Sequence, residues 1–217
     1  ILNGFNEASF NFIDTADVYS RWKPGNSGGE SEKIIGNWLK EKKNRHDIIL
    51  TTKVGSDMGD GKKGLKKEYI LKAVEDSLKR LKTDHLDWYQ THFDDESTPG
   101  LETVGAYAQL QKDGKLRSIG TSNMSPERIK ESLGTSAEKG LPSYETLQPH
   151  YNLYAREKYE SQYEPLALGH GLGVFTYFSL ESGFLTGKYR TKEDLKKSPR
   201  GSDMDKYFDA RGLKILG

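Results

Sequence analysis

Cysteine is absent from this 217-residue sequence. That absence excludes disulfides, thiolate metal sites such as four-cysteine zinc, and any thiol nucleophile. Net charge is nearly absent too. The 33 Lys and Arg against 32 Asp and Glu leave +1, so no general field draws the chain to nucleic acid or an anionic membrane. No apolar run approaches the ~20 residues of a membrane helix. Residues Ile1 to Phe10 have neither the basic start nor the apolar stretch of a secretory signal. The expectation is a cytoplasmic protein with no nucleic-acid or membrane partner. Its oligomeric state is not legible. What is present is bulk for a core: 12 Tyr, 8 Phe and 3 Trp within 34% apolar residues, against 30% charged residues for a solvated surface. Disorder throughout does not fit that composition.

Short runs rich in β-branched and aromatic residues alternate with longer runs of helical period. Strands are expected over 10–16, 47–53, 86–92, 116–121, 144–148 and 173–177. Helices are expected over 32–43, 67–81 and 101–111, with a further start at Ser125-Pro126, a cap followed by a first-turn proline. Such alternation implies right-handed βαβ units around a parallel sheet. Six units fit this length at roughly 35 residues each, whereas a closed barrel of eight typically needs ~250. A six-stranded open sheet is the alternative. The expectation is a single α/β domain over 1–217, a (β/α)8 TIM barrel whose first and last strands lie outside this sequence. The chain's failure to begin with Met accords with that. The polar stretch 192–203 is a candidate lid.

In such folds functional groups sit at the C-terminal ends of strands. Those ends read Asp14, Lys53, His92, Ser122 with Asn123, Gln148 and Tyr177. Tyr19 follows Asp14 in the same loop. A lone Asp-x4-Tyr is usually a capping Asp and a packing Tyr. With Lys53 and His92 at successive strand ends the pattern becomes chemical. A phenol beside a cation is a usable proton donor near neutral pH. A histidine can orient the substrate oxygen. Asp, Tyr, Lys and His together suit carbonyl reduction, the phenol protonating the developing alkoxide while a cofactor supplies hydride.

Rival readings fail on chemistry. Gly183 to Lys188 echoes a phosphate-binding loop, but Ser182 and Tyr189 stand where that loop needs Gly and Ser or Thr. No Gly-x-Gly-x-x-Gly follows a strand, so a Rossmann domain is unsupported. A metal at His92, Asp94 and Asp95 would be crowded and lacks a second His; no metal is expected, and the two acids read as turn and cap residues. A barrel hydrolase would need paired carboxylates at strand ends. His46, His85, His150 and His170 read as surface or packing residues.

The segments IDTADVY (13–19), TTKV (51–54), YQTHFDD (89–95), SIGTSN (118–123), LQPHYN (147–152) and TYFSLESGFLTGKY (176–189) resemble the aldo-keto reductase superfamily. They come in the family's order and cover nearly the whole chain. The resemblance implies a (β/α)8 barrel and NADPH-dependent reduction of aldehydes or ketones, with a small carbonyl compound as substrate. It implies Tyr19 as proton donor, Asp14 and Lys53 tuning it, and His92 orienting the carbonyl. Ser122, Asn123 and Gln148 would bond the nicotinamide carboxamide, and Tyr177 would stack on its ring. The stretch through Phe178, Ser179, Leu180, Ser182, Gly183 and Lys188 would wrap the pyrophosphate, with Arg200 a further cation. The insert at 21–32 resembles the branch that also holds potassium-channel β subunits. That branch makes a nucleotide-binding regulatory subunit with little turnover the alternative function. Two positions depart from the family. Phe178-Ser179 replaces the usual Ser-Pro, and Glu181 stands where a small residue is common. A carboxylate beside a pyrophosphate is electrostatically unfavourable. The preference for NADPH over NADH rests on resemblance alone.

Overall fold

The computed structural model describes residues 1–199 and 201–217, as two compact units, 1–147 and 148–217. The expectation for Arg200 falls outside the described residues. The first unit runs α1 (Leu2–Glu7), β1 (Phe12–Asp14), α2 (Glu30–Lys42), β2 (Ile49–Val54), α3 (Lys67–Leu81), β3 (Leu86–Thr91), α4 (Gly100–Lys112), β4 (Leu116–Ser122), α5 (Pro126–Lys139) and β5 (Tyr144–Gln148), whose last residue opens the second unit.

Strands β1 to β5 neighbour one another in chain order. The first four pair in parallel, with Asp14 beside Thr51, Lys53 beside Gln90, and Gln90 beside Gly120. Sequential order with right-handed crossovers puts every helix on one face of the sheet. A doubly wound sheet reverses order part-way. The topology is therefore the (β/α) repeat of a barrel, and the open-sheet alternative is dropped.

Strand period then sorts the side chains. Leu50, Thr52 and Val54 of β2, Tyr89 and Thr91 of β3, and Ile119 and Thr121 of β4 share one parity and are buried. They meet the helices: Thr52 bonds Glu32 of α2, and the Thr91 hydroxyl lies 2.9 Å from that of Tyr107 on α4. The opposite parity holds Asp14, Lys53, Gln90, Ser122 and, one residue past β3, His92. Two-residue alternation thus puts the expected chemistry on the face turned away from the helices.

Charge marks the ends of α2, and a side-chain cap opens α5. Glu30 and Glu32 occupy the first turn of α2, with Lys40 and Lys42 in its last, each sign opposite to the local dipole. Ser125 caps α5 by accepting from the Arg128 amide, with Pro126 next and left-handed Gly140 closing it. Helices α2 and α3 touch at Gly36, where a Cβ would lie 2.2 Å from the Arg80 carbonyl oxygen. Strand β1 is shorter than expected because Phe10 is 61% exposed and the chain turns after Asp14.

Among the described residues the second unit holds a π-helical turn (Tyr159–Tyr163), α6 (Glu164–His170), the short β6 (Gly173–Val174), three 3₁₀ segments and α7 (Ala210–Leu216). Its core is Phe184, Tyr189, Met204 and Tyr207, packed by Tyr154, Leu185, Leu195, Phe208 and Leu216. The stretch expected as a lid contains a 3₁₀ turn (Lys192–Lys197) begun by a capping box between Thr191 and Asp194.

Candidate active site

Lys53 organises the first unit's site. It is 1% exposed, and its Nζ lies 2.8 Å from Asp14, 2.7 Å from the Thr15 carbonyl and 3.1 Å from the Tyr19 hydroxyl. A buried ammonium needs such compensation to remain charged. The same Nζ sits 4.8 Å from the Tyr19 ring centroid. Asp14 is fixed from its other side by Gln90, whose amide donates to Asp14 at 3.2 Å and to the Thr51 hydroxyl at 3.1 Å.

Tyr19 lies in the loop between β1 and α2, and tertiary bonds hold that loop. The Gly29 amide donates to the Asp17 carbonyl at 2.6 Å, and the Ser20 hydroxyl donates to Glu30 at 2.6 Å. The Thr15 and Ser31 hydroxyls meet at 2.8 Å. Gly29 is the left-handed residue capping α2 (φ 79°), which agrees with reading Gly28-Gly29 as a helix entry. The phenol is therefore presented from a braced turn.

His92 stands edge-on to Tyr19, with ring centroids 5.9 Å apart. Its Nδ1 pairs with the Ser56 hydroxyl at 2.9 Å, and Asn123 donates to its carbonyl at 3.0 Å. Burial, then the Lys53 charge, pushes the imidazole down to about 3. A pKa that low leaves the imidazole uncharged near neutral pH. The four residues expected to be catalytic come together in one unit. Ser122 and Asn123 adjoin them, the Asn123 amide also donating to the Ser122 hydroxyl at 3.0 Å.

Sequence reasoning missed Ser56, Gln90 and Asp17. Asp17 is 2% exposed, and its Oδ1 has no hydrogen-bond partner. Burial and the neighbouring Glu32 raise its pKa from 3.8 to about 7 against the pull of the Val18 amide, Arg80 and Lys53. Glu32, fully buried, bonds Thr52 at 2.7 Å and Arg80 at 2.6 Å. Asp94 is corrected: it pairs with Arg128 at 3.1 Å. Asp95 is the turn residue, accepting from Ser97, Thr98 and the Leu65 amide. Among the described residues no cluster of His, Asp and Glu could hold a metal.

The second unit carries Gln148, Tyr177 and the turn 178–183. Phe178, Glu181, Ser182 and Gly183 all adopt positive φ (55°, 45°, 53° and 107°), folding the chain into a tight, exposed bend. The Lys188 ammonium lies 3.5 Å from where a Gly183 Cβ would stand. The bend's carboxylate does not face outward. Glu181 is 2% exposed and bonds His150, Asn152 and Tyr207. Burial raises its pKa, but the bonds from Tyr207, His150 and Asn152 outweigh burial and hold it below the ordinary range. With that charge turned inward, the bend and Lys188 fit an anionic pyrophosphate. His150, expected as a packing or surface residue, packs on Tyr177 and is also a hydrogen-bonding partner in this network.

The aldo/keto reductase family model matches residues 1–212. The chain belongs to that family. A probable voltage-gated potassium channel subunit beta from Arabidopsis thaliana is 37% identical over 191 residues, 87% of this chain and 56% of the relative. Aldo-keto reductase YhdN of Bacillus subtilis is 37% identical over 178 residues, 81% of this chain and 50% of its own length. Protein tas of Escherichia coli is 32% identical over 202 residues, 82% and 58% respectively. The chain thus spans about half the length of the curated relatives it matches. The expected α/β fold is that of the family, represented here by part of its barrel. Among the described residues no helix is long and apolar enough to cross a membrane.

Proposed function

We propose that this chain carries the proton-transfer half of a carbonyl reductase, reducing small aldehydes or ketones to alcohols with NADPH. The observation that carries the reading is the Lys53 ammonium shared between Asp14, the Thr15 carbonyl and the Tyr19 hydroxyl. NADPH, when bound, supplies hydride to the carbonyl carbon. Tyr19 donates its proton to the carbonyl oxygen. Lys53 stabilises the phenolate left behind, and Asp14 holds the Lys53 ammonium in place. His92, neutral, orients the oxygen. Gln148, Tyr177, the bend 178–183 and Lys188 are assigned to the nucleotide in the same reading, as are Ser122 and Asn123. A cytoplasmic location belongs to it as well.

The test is Tyr19→Phe. Loss of the proton donor is expected to cost at least ~100-fold in kcat while NADPH affinity stays within about twofold of the parent, since general-acid loss removes a transition-state interaction and not ground-state binding. Equal loss of both would remove the assigned role. A second reading, a nucleotide-binding regulatory subunit with little turnover, is favoured by the likeness to proteins named as potassium channel β subunits. NADPH oxidation against an aldehyde panel separates the two. Tight binding with turnover indistinguishable from Tyr19→Phe supports the regulatory reading.

A further inference from the structure

The bend that begins at Phe178 buries a carboxylate, Glu181, and the surroundings say what that carboxylate holds. One Glu181 oxygen accepts from the Tyr207 hydroxyl. The other accepts from the Asn152 amide and lies 2.8 Å from His150 Nε2. A carboxylate taken from water needs such donors to offset its desolvation. Two of them lead back to the nucleotide bend. The Asn152 amide also donates to the Phe178 carbonyl at 2.9 Å, while its oxygen accepts from the Tyr154 and Ala155 amides, both at 2.8 Å. The His150 ring lies nearly parallel to Tyr177, 17° between planes and 5.2 Å between centroids. It meets Phe178 edge-on at 5.7 Å. The backbones agree: His150 and Tyr177 form a parallel bridge, and the Tyr177 amide donates to the Pro149 carbonyl at 3.0 Å.

We propose that Glu181 and His150 are positioning residues for Tyr177. Glu181 fixes the His150 ring, and that ring backs one face of the Tyr177 phenol and sets the plane in which the phenol would stack on a nicotinamide. This rests on the reading of Tyr177 as the nicotinamide platform. Neither residue need touch the nucleotide. A carboxylate suits the task because it holds the imidazole by Nε2, fixing ring plane and tautomer together.

The test uses the 217-residue chain with Glu181→Gln, His150→Gln and the double variant. The first readout needs no nucleotide: proton NMR of the His150 and Tyr177 rings, whose mutual ring-current shifts report the stack. Glu181→Gln is expected to collapse them. The second is NADPH affinity by fluorescence titration. Each single variant is expected to weaken it about tenfold, the scale seen when groups that orient metal ligands from behind are removed. The double variant should be no weaker than the worse single one, because both act through one ring. His150→Gln keeps a donor for Glu181, and its side chain is 36% exposed. It should therefore fold with little change in Tm even if Glu181→Gln does not. Unchanged ring shifts in Glu181→Gln, additive losses, or His150→Gln affinity within twofold of the parent would each overturn the proposal. A parent chain that binds no NADPH removes the platform reading as well, and is told apart because the ring shifts can then still be present.

Discussion

Replacing Asp17 with Asn should stabilise this protein at neutral and alkaline pH and do nothing at acid pH. Asp17 sits two residues before Tyr19, 2% exposed, with one carboxyl oxygen unpartnered and Glu32 nearby. Its pKa is raised from 3.8 to about 7. Between those values the folded chain holds a proton that the unfolded chain releases. The favourable contribution is therefore fully present below pH 3.8 and is lost as pH rises through about 7. At 1.36 kcal/mol per pH unit the displacement is worth at most about 4 kcal/mol, a large share of the ~5–15 kcal/mol that holds a domain folded. Asn keeps the shape and cannot ionise. The difference between variant and parent should be near zero at pH 4, grow through pH 5 and 6, and level off above pH 7. Urea unfolding at pH 4, 6 and 8 measures it, and titrating groups not coupled to Asp17 cancel in the difference. A pH-independent difference, or a variant less stable at pH 8, would show that the carboxyl has found a partner and is not held neutral by burial.

Two further substitutions test separate links. Lys53→Met leaves Asp14 without its cation and the Thr15 carbonyl without its donor. Unfolding free energy should fall by roughly 3 kcal/mol, the lower end for breaking a buried pair because the Asp14 side chain is 24% exposed, and reductase activity should vanish with it; a stable, active variant would contradict the proposed role. Gly36→Ala in α2 should lose about 1–3 kcal/mol to overpacking by thermal or urea melt, although Ala is the better helix former, because the new methyl meets the α3 backbone at 2.2–2.7 Å. Stabilisation there would mean the two helices can part.

Strand ends were the most legible feature of the sequence. Asp14, Lys53, His92, Ser122 and Gln148 lie within a residue of the ends of β1 to β5, because alternation and short apolar runs are local signals and a parallel sheet turns position along a strand into position in space. Pairing was legible for the same reason: an acid and a lysine near the ends of neighbouring strands, on one sheet face, have few other partners. Asp17 could not be found this way. Its environment is made by Glu32 and Arg80, brought in by two helices, and nothing in the loop's own sequence marks it as buried. Glu181 misled in the opposite direction. Beside a phosphate its charge looks wrong, and only the fold shows it facing Tyr207, His150 and Asn152. Tyr177 lies three residues beyond β6, which ends at Val174, so its placement follows from the bridge to His150 and not from strand period.

His92 and Asp17 pull the pH dependence of stability in opposite directions, and their combination separates a neutral orienting histidine from a catalytic imidazolium. Burial and the Lys53 charge lower His92 from 6.5 to about 3. Its contribution is present above pH 6.5 and is lost as pH falls through about 3, because the unfolded chain takes up a proton the folded chain refuses. Between pH 4 and 6.5 the folded site thus accepts a proton at Asp17 and declines one at His92, and the two slopes largely cancel. Asp17→Asn removes one of them, so that variant should lose stability steeply on acidification over the range where the parent is nearly flat. The same neutrality governs rate. If His92 only orients the carbonyl, the ratio of parent to His92→Gln kcat/KM should stay constant from pH 5.5 to 8, since neither side chain titrates there. A ratio that falls tenfold per unit above pH 6.5 would mean that the imidazolium gives up the proton, and Tyr19 would lose that role.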